Sequence, residues 1–284
     1  MELLNRVKSI LFNPKEEWEV IEVENEPHAK VFMKHLLILA LIPALAFFAN
    51  EYLENRSMYN DYLENGIANI ESNYNSNSGY YNNAERQAEQ EILKSQKIAE
   101  FEENAEKAFL ITFPFSSIKW NIIFAACLFG IIVAGAYVSA AIINALANQF
   151  GSEKDFNRAF SLVVYSYTPF CIAGVLYFFD SFASFVPYIG LYGLFLLYLG
   201  VAPLLKPVAE KKTTSFIIAM VVVVGVWFGL ARVAVPEIQK RVMTEEYINV
   251  LKDNYKGNVP LKIDAKMRKS TEKQMESEVK NHKY

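Results

Sequence analysis

The side chains able to do chemistry in this chain are neutral. Tyr165-Ser166-Tyr167-Thr168-Pro169 sets four hydroxyls in a row ahead of a proline, inside an apolar stretch. Ser161, Tyr165 and Thr168 recur at spacings of four and three, which puts them on one face of a helix. Pro169 has no N–H, so the carbonyl of Tyr165 is left for another partner. Upstream, Gly130, Ala134, Tyr137, Ala141, Asn144 and Asn148 recur in the same way, so Tyr137 and Asn144 share a stripe of small residues. Hydroxyls and amides in such a setting suit two tasks. One is hydrogen bonding between helices packed in lipid. The other is a polar site for a neutral solute or a lipid. Ion coupling and intramembrane hydrolysis need buried ionisable groups. No Asp, Glu, Lys or Arg lies in the middle of an apolar block, and His28, His35 and His282 read as lying outside them. HExxH, GxSxG and Walker A patterns are absent, so no catalytic residue, cofactor or metal is implied. Cys127 and Cys171 fall in apolar stretches and read as small hydrophobes.

The elements that must position these residues follow from the distribution of apolar side chains. Of 284 residues, 52% are hydrophobic and 21% charged, and the two classes are segregated. Apolar blocks cover 33–49, 121–147, 157–179, 182–205 and 213–235. A span needs about twenty apolar residues to cross roughly 30 Å of hydrocarbon. The fold class is therefore all-α: a polytopic membrane protein of five transmembrane helices. The first block is short and contains Pro43, which neighbouring helices can accommodate. Because it follows a mixed segment, it reads as a retained anchor. Glycines are expected at close helix contacts: Gly130 in the second span, Gly190, Gly193 and Gly200 in the fourth, and the Gly225/Gly229 pair in the fifth. A net charge of −3 carries no nucleic-acid footprint. The partners that remain are membrane lipids, other membrane proteins or a second copy of the chain.

Three segments lie outside the blocks. Residues 1–32 form two amphipathic helices. Leu3, Leu4, Val7, Ile10 and Leu11 share a face, with Arg6 and Lys8 off it. Asn13 and Pro14 then start a second helix bearing Trp18 and Ile21. These helices either lie in the membrane surface or dock on the protein. Trp18, and Trp120 before the second span, read as interfacial anchors. Residues 50–120 are an insert with twelve acidic and five basic side chains between Asn50 and Ala108. It reads as an antiparallel helical hairpin with its tip at Asn73–Gly79, or else as a disordered acidic loop. Ala88, Ile92, Ala99, Phe101, Ala105 and Phe109 are its sparse apolar points. From Arg232 the chain ends in a charged tail with twelve basic and eight acidic residues, of which 236–284 follow the fifth span. Lys154 and Arg158 mark one short connection, and Lys206, Lys211 and Lys212 mark another. The positive-inside rule puts both in the cytoplasm. The N-terminus is then cytoplasmic, and the insert and tail emerge together on the outer side, where their opposite charge favours association.

Leu4-Asn-Arg-Val-Lys-Ser-Ile-Leu-Phe-Asn-Pro-Lys-Glu-Glu-Trp-Glu-Val-Ile21 resembles the opening of the prokaryotic branch of the Yip1 family. The similarity resumes at Ala141-Ile-Ile-Asn-Ala-Leu-Ala-Asn-Gln-Phe-Gly151. It continues through Phe156, Ala159, the Tyr165–Pro169 knot and Gly174. It closes with Leu194-Phe-Leu-Leu-Tyr-Leu-Gly200 and the valine-rich fifth span. The resemblance implies a five-span helical domain with a cytoplasmic N-terminus in a bacterial cytoplasmic membrane. Eukaryotic members are implicated in vesicle trafficking, Rab-type GTPase binding and membrane shaping. The insert and the tail depart from the compact family pattern. The expectation is a non-enzymatic protein that binds or organises lipids or membrane proteins. The alternative is a transporter or channel for a small neutral or lipidic solute.

Overall fold

A computed structural model describes residues 3–78, 84–113 and 116–254. Helices account for its secondary structure, and no strand occurs among the described residues. Two units divide the chain: residues 1–61 with 116–236, and residues 62–115 with 237–284.

The first unit holds the membrane body. Five helical segments are long and apolar enough to cross a bilayer: His28–Ser76, Ile118–Phe150, Phe156–Phe178, Asp180–Leu205 and Ala209–Val233. Before them come α1 (Leu3–Phe12) and α2 (Pro14–Glu24). Span one opens with α3 (His28–Val31) and a π-helical turn, Phe32–Leu36, then continues as α4 (Leu37–Ser78). It therefore runs well past residue 49 without a break. In the second unit lies α5 (Ala84–Thr112); span two is α6 (Ile118–Leu146) with a short 3₁₀ turn after it. Span three is broken into α7 (Phe156–Ser166) and α8 (Thr168–Ala173), since Pro169 denies α7 a continuation. Asp155 caps α7, its Oδ1 accepting from the backbone N–H of Asn157 at 2.9 Å and of Arg158 at 3.2 Å. Span four comprises α9 (Asp180–Ala183), α10 (Val186–Gly190) and α11 (Tyr192–Leu205). Span five begins α12 (Lys212–Asn254), which continues without interruption beyond the apolar block.

Contacts along span three set the order of the bundle. His28 meets Asn157, His35 meets Thr168, Gly174 abuts Pro43, and Asn50 donates to Asp180. Spans one and three therefore run side by side in the same direction. Gly200 abuts Leu162, Gly193 abuts Ser166 and Gly190 abuts Phe170, so span four runs the opposite way. Span three is the centre: every residue from 159 to 169 is buried.

The first two helices dock on this body. Ile10, Trp18 and Ile21 are buried in the same core as Phe160, Leu162 and Leu196. Tyr192 Oη donates to the Leu11 carbonyl at 2.8 Å, and Lys206 pairs with Glu22 at 2.6 Å. Of the two dispositions open to an amphipathic pair, docking on the protein is the one adopted. Asn13 precedes α2, but its side chain makes no cap hydrogen bond; its carbonyl accepts from Glu17 N–H at 3.1 Å.

In the second unit the later part of α4 and α5 pack on each other. Tyr62 sits 5.8 Å from the Phe101 ring and 5.6 Å from Phe109. A Cβ on Gly66 would overlap Phe101, so the glycine lets the ring lie against the backbone. Ala105 and Phe109 are buried, whereas Ala88, Ile92 and Ala99 are exposed. Among the described residues the buried side chains of the hairpin lie at its base. Its expected tip is helical through Ser78, and Gly79 lies outside the described residues. Residues 255–284 of the tail also lie outside them.

Candidate functional site

The polar knot of span three lies under the N-terminal hairpin. Thr168 is fully buried, and its hydroxyl shares a hydrogen bond of 2.9 Å with His35 Nε2. The His35 ring stands 4.6 Å from Tyr165. On its other side Tyr165 meets Trp18 edge-on at 6.2 Å. Arg6 holds its guanidinium 5.7 Å from the Tyr165 ring centroid, a cation–π arrangement. Two carboxylates, Glu17 and Glu24, bond the same guanidinium. Arg6 and Glu17 are each 5% exposed, so this is a buried ion pair. Burial pulls the Arg6 pKa down, but Tyr165, Glu17 and Glu24 outweigh it and hold it above its ordinary value. The cluster joins α1 and α2 to spans one and three. A cavity of about 260 Å³ opens beside it, between Arg6, Glu26, Lys34, His35 and Tyr165.

The expected site residues divide. Tyr165, Thr168 and Pro169 meet here, with Ser161 buried one turn below on α7. Tyr137 belongs to an aromatic group instead, 4.6 Å from Phe160 and 5.9 Å from Phe32. Asn144 is half-buried, its Oδ1 takes no hydrogen bond among the described residues, and it is not in the cavity wall. The stripe expected on span two is displaced. Gly130, Ala134, Ala141 and Asn148 are exposed, while Ile132, Gly135, Ala136, Ser139, Ala140 and Ile143 are buried. Small residues occur all round this helix, so spacing alone does not select the packed face.

The glycines divide as well. A Cβ on Gly193 would lie 2.4 Å from the Ser166 carbonyl oxygen, and one on Gly200 would lie 2.7 Å from Leu162 and Trp18. Gly190 is tight against Phe170 at 3.2 Å. Nothing comes within 4 Å at Gly130, Gly225 or Gly229 among the described residues, so these three are not packing sites there. Trp18 and Trp120 are 1% and 4% exposed. Both indoles are buried in protein rather than anchored among headgroups.

Three participants escape a reading by composition. His35 reads as lying outside the apolar blocks, yet it is buried in the first turns of span one. The i, i+3/i+4 series Val31, His35, Leu39 was the available signal. Arg6 was assigned to the polar face, but its charge is neutralised from α2, which the α1 pattern cannot show. Gly174 was not expected as a contact, though its Cβ would meet the Pro43 backbone at 2.8 Å.

Five apolar helices, with span three buried at their centre, define a multi-pass α-helical integral membrane protein. The chain matches the Yip1 domain from residue 8 to residue 231, and it belongs to that family. No curated protein and no solved structure matches it.

Proposed function

We propose that this Yip1-domain protein works by binding: it organises lipids or other membrane proteins, and it is not an enzyme. The continuous burial of residues 159–169 carries the reading. Protein side chains occupy the polar knot, with His35 on Thr168 and Trp18 on Tyr165. A pore along spans two and three, the alternative, requires Asn144 and Tyr165 to share a passage; the cavity beside Arg6 is lined by Tyr165 and not by Asn144. The protein sits in a bacterial cytoplasmic membrane with its N-terminus in the cytoplasm and its C-terminus outside. Lys154, Arg158, Lys206, Lys211 and Lys212, gathered in two connections, support that orientation. Crosslinking in native membranes followed by mass spectrometry tests the binding reading. Lipid or membrane-protein adducts on α1 and α2 are expected. Flux of a neutral solute into reconstituted vesicles, abolished by Tyr165→Phe, would overturn it in favour of transport. Reagents that label the N-terminus from outside intact cells would overturn the orientation.

A further inference from the structure

From the cavity beside Tyr165 we infer a binding site for the phosphate headgroup of an anionic phospholipid, with Lys34 as its principal cation. The inference rests on the binding reading above and names the ligand class. Position is the first ground. Met33, Lys34 and His35 belong to the π-helical turn at the foot of span one, where the apolar run begins. That is the level at which headgroups meet acyl chains. Single π turns inside helices recur at functional sites, because they bring one extra residue into the local surface.

Charge is the second ground. The acidic groups around the cavity are already committed: Glu17 and Glu24 to Arg6, and Glu26 to Lys30. Lys34 is exposed and pairs with no carboxylate among the described residues. The Tyr165 hydroxyl takes no hydrogen-bond partner among them either. The Lys34 ammonium and the Tyr165 hydroxyl are thus the donors left uncommitted in the wall, and a phosphate can accept from both. Shape is the third ground. At about 260 Å³ the cavity is smaller than the roughly 300–1,000 Å³ of drug-sized sites, so it takes a headgroup and not a whole lipid. Met33 and Ile38, 58% and 45% exposed, flank it with apolar surface for the acyl chains. A free inorganic anion would leave that surface unused.

Native mass spectrometry of the full-length chain in detergent, supplied with phosphatidylglycerol or phosphatidylcholine, tests this. The unaltered chain should retain phosphatidylglycerol in preference. Lys34→Gln should cut that retention about fivefold, the weight of one lysine at a lipid surface. Lys8→Gln, an exposed charge on α1 outside the cavity, should leave it unchanged. Equal retention by the unaltered and Lys34→Gln chains would overturn the site, as would equal losses in the two variants. Displacement of the lipid by inorganic phosphate, with the same dependence on Lys34, would overturn the lipid assignment in favour of a free anion. Solute flux in vesicles is a separate readout, so failure of the binding reading is distinguishable from failure of this site.

Discussion

Spans three and five belong to one body and are each long enough to cross a bilayer, yet they are built in opposite ways. In span three 78% of the apolar window is buried by protein, and in span five 11%. Along span three each side chain from 159 to 169 packs against protein, so the identity of each residue is constrained. Thr168 meets His35, and Tyr165 is enclosed by Trp18 and Arg6. Along span five, Val221, Phe228 and Val233 are exposed. At these exposed positions one apolar residue serves as well as another. The difference teaches that a motif in a transmembrane helix acquires meaning from what it faces.

The comparison breaks most visibly at the buried charge over span three. Glu17→Gln leaves Arg6 short of a carboxylate in a dry site, and breaking a buried pair costs about 3–5 kcal/mol. Thermal unfolding in detergent should record a large loss for it and no change for Glu210→Gln at the exposed foot of span five. Equal melting of the two variants would erase the contrast. Next in size is Gly193→Ala, whose Cβ has no room beside the Ser166 carbonyl. Overpacking of this kind costs about 1–3 kcal/mol, and the same melt checks it. Thr168→Val should cost about 0.6–1.7 kcal/mol, the range for hydrogen bonds between membrane helices. A double-mutant cycle with His35→Phe should show the two losses to be coupled, whereas Thr214→Val at the exposed start of span five should be neutral. The smallest effect belongs to Gly225→Ala and Gly229→Ala. With open space around both, each should be neutral or raise stability by up to about 1 kcal/mol through helix propensity. A loss at either glycine would mean that this face of span five has a protein partner.

These contrasts also mark what was legible in the chain. The spans are written in apolar blocks, because hydrocarbon imposes the same demand on every helix. The Tyr165–Pro169 knot was legible because hydroxyls and a proline stand out against leucine and valine. Arg6 and His35 were not, because their partners lie elsewhere: Glu17 is 11 residues from Arg6, and Thr168 is 133 from His35. Seen alone, each looks like an ordinary charged border to an apolar run. The Gly225/Gly229 pair failed in the other direction. Its spacing fits close packing, but no neighbour stands opposite among the described residues, and spacing carries no information about that. On span two the abundance of alanine and glycine allowed several stripes, and only the contact with span three distinguishes Gly135–Ala140 from the rest.

The seating of Trp18 has a consequence for how the protein is made. Its indole rests on Gly200 and Leu162, so its berth does not exist until the fourth span has left the ribosome and joined the third. The segment bearing Trp18 precedes span four in the chain and must therefore wait while spans one to three are inserted. A chain interrupted before span four would leave the Trp18 indole without its berth on Gly200.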